Sequence, residues 1–290
     1  MSIRRTSVVV VSNLLKKILS LLWCLVVGES GEGRIVLDSF SCDSDSSNAS
    51  AKIILAIHLF KVDGYKKMFK KLSYLVVLAD EVWLSSCNAE LLNLAKRHLD
   101  LNWAKKVVVF NVSNKWHDWS GYLAFLRHYD GIAQMVVCND SLVTRRIVGK
   151  KTMRRFVYGL KNNDNNFLLG ELDTGRCSVD LSGWSSVSWI STYLFALRGL
   201  RVNVDDLSRE VDSDVEFFMA RHAHPFKAYL QHRRSELVLS DINIQAKVGA
   251  MFFERRLSRL AVESGSTIVD YCAGSWVRKL ERNLERLRDT

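Results

Sequence analysis

Proline is almost missing from this chain: Pro225 is the only one in 290 residues, which argues against extended proline-rich linkers. Paired cysteine motifs are missing too. The six cysteines (Cys24, Cys42, Cys87, Cys138, Cys177 and Cys272) are widely separated, with no Cys-x-x-Cys among them. Several sit inside apolar runs, where a free thiol behaves as a small buried hydrophobe, so a reducing, cytoplasmic setting fits better than a disulfide framework. The sequence contains no Gly-rich nucleotide loop, no Walker motif and no Gly-x-Ser-x-Gly elbow. No RNA-binding or zinc-finger signature is present either. Its longest apolar stretch within the first 30 residues, Ile18–Val27, has ten residues, whereas a bilayer span needs about 20.

What is present is charge of one sign. Lysine and arginine number 41 against 31 aspartates and glutamates, a formal net charge of +10. Such an excess favours polyanionic partners: nucleotide phosphates, acidic lipid, or nucleic acid, the last weakened by the missing signatures. The excess is uneven. Between Arg145 and Lys161 stand seven basic residues and no acidic one. A solvated helix face accounts for that run, and so does a surface facing phosphates or a membrane.

Residues 1–30 carry Arg4, Arg5, Lys16 and Lys17 around their apolar stretch. They read as a packed or interfacial amphipathic helix, with a signal or anchor as the alternative. Residues 39–50, SFSCDSDSSNAS, lack hydrophobic periodicity and read as a linker. The expected organisation is therefore an N-terminal appendage over 1–50 and a main domain over 51–290.

From residue 52 onward, apolar runs alternate with helical patterns. Strands are expected at 52–60, 81–87, 106–112 and 132–138, with helices at 63–79, 89–99 and 118–129. Ser113 and Asn114 are available to start the last of these. Such alternation means βαβ units and a mainly parallel sheet. Further strands are expected at 167–172 and 188–197. From about 205 the chain reads as helical, ending in a helix with Val277, Leu280, Leu284 and Leu287 on one stripe.

Open α/β sheets bind ligands beyond the carboxyl ends of their strands, and polar residues collect there. His58 lies near the end of the first strand, Asn111 ends the third, and Asn139, Asp140 and Ser141 follow the fourth. A carboxylate at a strand end can hold Mg²⁺ or Mn²⁺ together with substrate phosphates; an Asx turn is the simpler account of the same triplet. Asp118 opens a helix, with Gly121 and Tyr122 three and four residues on and therefore on its face. It reads either as a capping carboxylate or as a ligand to ribose, base or metal. His58 is a core histidine or a site residue, and Asp173 a turn residue or a general base. His222 and His224 form an isolated His-x-His with no third metal ligand in view.

The order of IILAIHLF, NVSNKWHDWSGYLAFL and MVVCNDSL resembles the rhamnan synthesis protein F family, bacterial glycosyltransferases of cell-wall and O-antigen lipopolysaccharide assembly. That family shows a strand containing His, then Asn followed by Asp-Trp-Gly-Ala-Tyr-Leu, then a hydrophobic strand ending in Asn-Asp-Ser. Here the second motif reads Asp118-Trp119-Ser120-Gly121-Tyr122-Leu123. Weaker similarity continues through Asp173, Tyr193, Glu254 and Ser258, so the resemblance spans roughly 52–266.

The resemblance implies an α/β fold of the glycosyltransferase A type, a nucleotide-diphospho-sugar transferase sheet flanked by helices with a helical C-terminal part. It implies a nucleotide-sugar donor, a glycan acceptor, and dependence on Mg²⁺ or Mn²⁺. Asp140 would hold the metal and diphosphate, supported by Asn139 and Ser141. His58, Asn111, Asp118, Gly121 and Tyr122 would line the donor site, and Asp173 would be the base. Contact with a membrane, if made, would be peripheral. The chain departs from the pattern at Leu142-Val143-Thr144, where the family has a Tyr-Gly-Pro-like turn, and at Trp189 and Ser191, where it has His and Gln. Those departures motivate a second expectation, a catalytically inactive relative that binds a glycan or protein partner.

Overall fold

The structure, a computed structural model, describes residues 52–60, 64–140, 142, 150–163, 165–174, 188–233 and 240–271. The proposed appendage over 1–50, Ser141, all of 143–149 and the expected last helix lie outside them. The first four strands fall where the apolar runs predict: β1 (Ile53–His58), β2 (Glu81–Ser86), β3 (Lys106–Asn111) and β4 (Gln134–Asn139). They are followed by β5 (Phe167–Thr174), β6 (Ser188–Arg198) and β7 (Thr267–Asp270). All seven join one sheet in the order β3-β2-β1-β4-β6-β5-β7. β1 pairs in parallel with β2 and β4, β2 with β3, and β5 with β7. Only β6 runs against its neighbours, β4 and β5.

The sheet is buried on both faces, which is why its central strands read as unbroken apolar runs rather than alternating ones. Ile54, Ala56, Trp83, Met135 and Val137 face one core. The intervening Leu55, Ile57, Val82, Leu84, Val136 and Cys138 face the other. The first core is covered by α4 (Asp118–His128), α6 (Val204–Arg233) and α7 (Asp241–Glu263). The second is covered by α1 (Tyr65–Lys71), α2 (Ser73–Leu78), α3 (Ala89–Trp103) and α5 (Lys150–Lys161). This is the mainly parallel, helix-flanked α/β architecture that the alternating pattern predicts.

Three details differ from the sequence reading. The helix expected over 63–79 is divided at Leu72 (φ −93°, ψ 8°) into α1 and α2. The region expected to be helical from 205 contains β7, whose Thr267, Ile268 and Val269 follow a turn at Gly265 (φ 74°) and add to the edge of the sheet beside β5. Ser113 and Asn114 do not cap α4. His117 occupies that position without a side-chain cap, and the Ser120 hydroxyl accepts a hydrogen bond from the Trp116 N–H at 2.9 Å. By contrast α3 starts with an ordinary cap, the Asn88 side chain accepting from the Leu91 N–H.

Candidate functional site

The side chains at the carboxyl ends of β1, β2 and β4 follow from strand parity. His58, Ser85 and Asn139 share the face of Ala56, Trp83 and Val137, so they point toward the layer in which α4 starts. The fit there is close. A Cβ placed on Gly121 would lie 2.2 Å from His58 Nδ1 and 2.3 Å from Ser85 Oγ. Only glycine lets α4 approach the two strand ends this nearly.

Asn139 organises the cluster. Its side-chain amide donates to Asp118 Oδ2 at 2.5 Å and to the Tyr122 hydroxyl at 2.9 Å. The Tyr122 hydroxyl in turn donates to the Thr192 carbonyl at 2.8 Å. Burial, with the Asp118 carboxylate adding to it, raises the Tyr122 phenol well above its ordinary range, so this hydroxyl stays a donor. The chain continues through Thr192, whose hydroxyl donates to Glu254 Oε1 at 2.7 Å. One turn on, Ser258 Oγ accepts from the Ile190 N–H at 2.9 Å. Glu254 and Ser258, noted in the sequence only as matching positions, thus fasten α7 to β6.

His58 is 1% exposed, and its Nδ1 lies 2.8 Å from Ser85 Oγ. Nε2 is buried with no hydrogen-bond partner among the described residues. Burial, reinforced by His117, pushes the imidazole down to about 3, so His58 is neutral near pH 7. His117 stands at φ 51°, ψ −126°, a left-handed conformation unusual for a residue with a Cβ. That strain sits at the entry of α4, immediately before Asp118.

Asp140 is 3% exposed. Its Oδ2 accepts from the Phe60 N–H at 2.9 Å, and its own N–H donates to the His58 carbonyl at 3.2 Å. The residue therefore ties the exits of β1 and β4 together. Asp118 is half-buried and is the more accessible of the two carboxylates.

The structure brings together His58, Asp118, Gly121, Tyr122, Asn139 and Asp140. It does not bring Asn111 to them: that residue is exposed at the end of the edge strand β3, two strands from β1 and on the opposite face from Ser85. Asp173 is a backbone position of β5 in register with Trp189, separated from β4 by β6. Ser85 and Thr192 belong to the cluster and were missed by sequence reasoning. Ser85-Ser86 ends an apolar run just as Asn139-Asp140 does, so the signal for it was the same. Thr192 lies inside a β-branched strand, and nothing in the sequence marks it.

Among the described residues, no three or more histidines, cysteines, aspartates or glutamates are grouped so as to hold a metal ion. A hard cation that arrives with substrate phosphates requires only one or two protein carboxylates. Asp118 and Asp140, flanking the Asn139 side chain and backbone, are chemically suited to that limited part.

The fold and these residues define an α/β protein with a polar cluster at the carboxyl edge of its sheet. No family model matches the sequence, and no curated protein matches it. Among solved structures, the chain is similar to 4-diphosphocytidyl-2C-methyl-D-erythritol synthase from Anaerococcus prevotii, with a TM-score of 0.37 and 13% identity over 76% of this chain and 89% of that one. A second structure of a 4-diphosphocytidyl-2C-methyl-D-erythritol synthase gives a TM-score of 0.34 and 8% identity over 76% of this chain and 88% of its own. Values this low carry nothing about activity or ligand.

Proposed function

We propose that the protein is a transferase that binds a nucleotide-activated sugar at the carboxyl ends of β1, β2 and β4 and passes the sugar to a glycan acceptor, within the glycosyltransferase A type that the sequence resemblance implies. The observation that carries this reading is the convergence of Asp118, Tyr122, Asn139 and His58, from a helix start and two strand ends, at the sheet edge where open α/β folds take their ligands. Of these residues Asp118 alone is not fully buried, so it is the one that an incoming donor would meet first.

In the reaction, an acceptor hydroxyl oxygen bonds to the anomeric carbon as the bond from that carbon to the diphosphate breaks. The electron pair leaves with the nucleoside diphosphate, and the hydroxyl proton passes to a base. The candidate is Asp173, near the carboxyl end of β5 and two strands from β4, where it would meet the acceptor rather than the donor. The charge developing on the departing diphosphate is of the kind that Mg²⁺ or Mn²⁺ neutralises. Asp140 and Asp118 are the carboxylates proposed to hold such an ion.

One observation favours a second reading. The Asp140 carboxylate is buried and accepts a backbone hydrogen bond, as a structural tie would. In that case the protein keeps the fold but binds a glycan or protein partner without turnover. Isothermal titration with a panel of nucleoside diphosphates, with and without Mn²⁺, tests both. Binding that Asp118→Ala abolishes supports the donor site, and absence of binding to every member of the panel removes it. Binding without turnover or hydrolysis of any nucleotide sugar selects the inactive form.

A further inference from the structure

The two helical layers differ in charge. The layer formed by α6, with its acidic residues, and α7 pairs most of its cations, among them Arg127 with Asp205, Lys115 with Asp212, and Arg256 with Glu210 and Asp214. The opposite layer does not. α1 presents Lys66, Lys67 and Lys70 outward, and α3 presents Lys96 and Arg97. α5 adds Arg154. None of these six forms an ion pair among the described residues. α1, α2 and α5 contain no acidic residue at all; in this layer only α3 does, with Glu90 and Asp100.

We infer that this layer is an electrostatic docking surface for an anionic lipid bilayer. The apolar sides of α1 and α5 are already used: Met68, Phe69, Phe156 and Leu160 are fully buried in the core beneath. Contact is therefore adsorption of a charged surface, not insertion of an amphipathic helix. The cations are spread across three helices on one face of the sheet, α3 over β2 and β3 and α5 over β5, which suits a broad anionic surface. Each lysine or arginine near such a surface contributes attraction that adds across the patch and is screened by salt.

Two exposed tyrosines accompany the cations, Tyr158 (65% exposed) one turn beyond Arg154 and Tyr74 on α2. Tyrosine, apolar with a wet end, is suited to a headgroup region. Standing on separate helices, these two do not form the file of aromatic platforms that single-stranded nucleic acid uses. The geometry also leaves the α4 side of the candidate site free, because His58, Ser85 and Asn139 face the opposite layer. This inference does not depend on the donor-site reading.

Vesicle co-sedimentation of the full chain tests it, with vesicles of phosphatidylcholine alone or of equimolar phosphatidylcholine and phosphatidylglycerol. The expected result is binding to the mixed vesicles only, released at about 1 M salt. The triple variant K66E/K67E/K70E, altered only at exposed positions, should bind roughly a hundredfold more weakly. Arg209→Glu, on the other layer, should bind as the parent does. Equal binding to both vesicles, or binding unchanged in the triple variant, overturns the proposal. So does displacement of the protein from vesicles by an oligonucleotide duplex at equal phosphate concentration, which would mark a nucleic-acid surface instead.

Discussion

The side-chain amide of Asn139 reaches two residues one helical turn apart, Asp118 Oδ2 at 2.5 Å and the Tyr122 hydroxyl at 2.9 Å. A single strand-end residue thereby sets both the position and the rotation of α4. Replacing it with leucine removes both bonds and leaves the Asp118 carboxylate without this donor. The expected cost is about 1–3 kcal/mol in urea unfolding. Asn139→Asp should cost more at pH 7, because it sets a second carboxylate against Asp118. Equal stability of the two variants would show that the amide is not what orients Asp118.

Gly121→Ala tests the contact between α4 and the strand ends. The added methyl would meet His58 Nδ1 at 2.2 Å and Ser85 Oγ at 2.3 Å, both buried and bonded to each other. Neither is the far end of a long flexible chain that could swing away. Overpacking of this kind costs roughly 1–3 kcal/mol, readable as a lowered thermal midpoint by circular dichroism. An unchanged midpoint would mean that the helix and strands are not held this closely.

How much of this was legible in the sequence depends on the distance over which each signal acts. The positions of β1, β2 and β4 could be read because strands buried on both faces must be largely apolar, as IILAI and MVVC are. His58, Asp118, Tyr122 and Asn139 could be read because each ends or begins an element. Their hydrogen bonds could not, since the bond between Asn139 and Asp118 depends on how α4 crosses β1. Asn111 shows the limit. It ends its strand as Asn139 does, but the sheet order puts β3 at the edge, and its parity turns it to the other face. β7 went unread because four residues inside a helical stretch form a strand only when β5 offers an open edge. The dual character of Asp140 was equally hidden: a strand-end carboxylate looks the same whether it faces solvent or the Phe60 amide.

The neutral, buried state of His58 has a consequence for stability. Its pKa is about 3 in the folded protein, against about 6.5 in the unfolded chain. Between those values the unfolded chain binds a proton that the folded state refuses. Stability from this residue is therefore complete above pH 6.5 and is lost progressively as pH falls toward 3. By pH 5 the loss amounts to about 2 kcal/mol. His58→Gln should unfold with a visibly flatter pH dependence between pH 7 and 5 than the parent. Parallel profiles, or an imidazole resonance for His58 that titrates near pH 6.5, would refute the assignment.

Asp140 and Asp118 should separate when each is replaced by alanine. Asp140 is almost wholly buried and accepts the Phe60 N–H, so its loss leaves a part-buried backbone donor without this partner. That predicts destabilisation of about 1–3 kcal/mol by denaturant titration, whether or not any ligand is present. Asp118 is half-buried at the mouth of the cluster. Its removal should change the unfolding midpoint less, and should instead abolish the rise in melting temperature that a nucleoside diphosphate with Mn²⁺ gives the parent. If Asp140→Ala retains both stability and that rise, the residue neither ties the strands nor serves the site. If Asp118→Ala keeps the rise in full, the donor does not use this carboxylate. Asp140→Asn distinguishes the two roles of Asp140 further: an amide oxygen still accepts from Phe60 but carries no charge for a cation. Parent-like stability with weakened Mn²⁺-dependent binding would assign it both roles, while parent-like behaviour in both measurements would leave it the structural one alone.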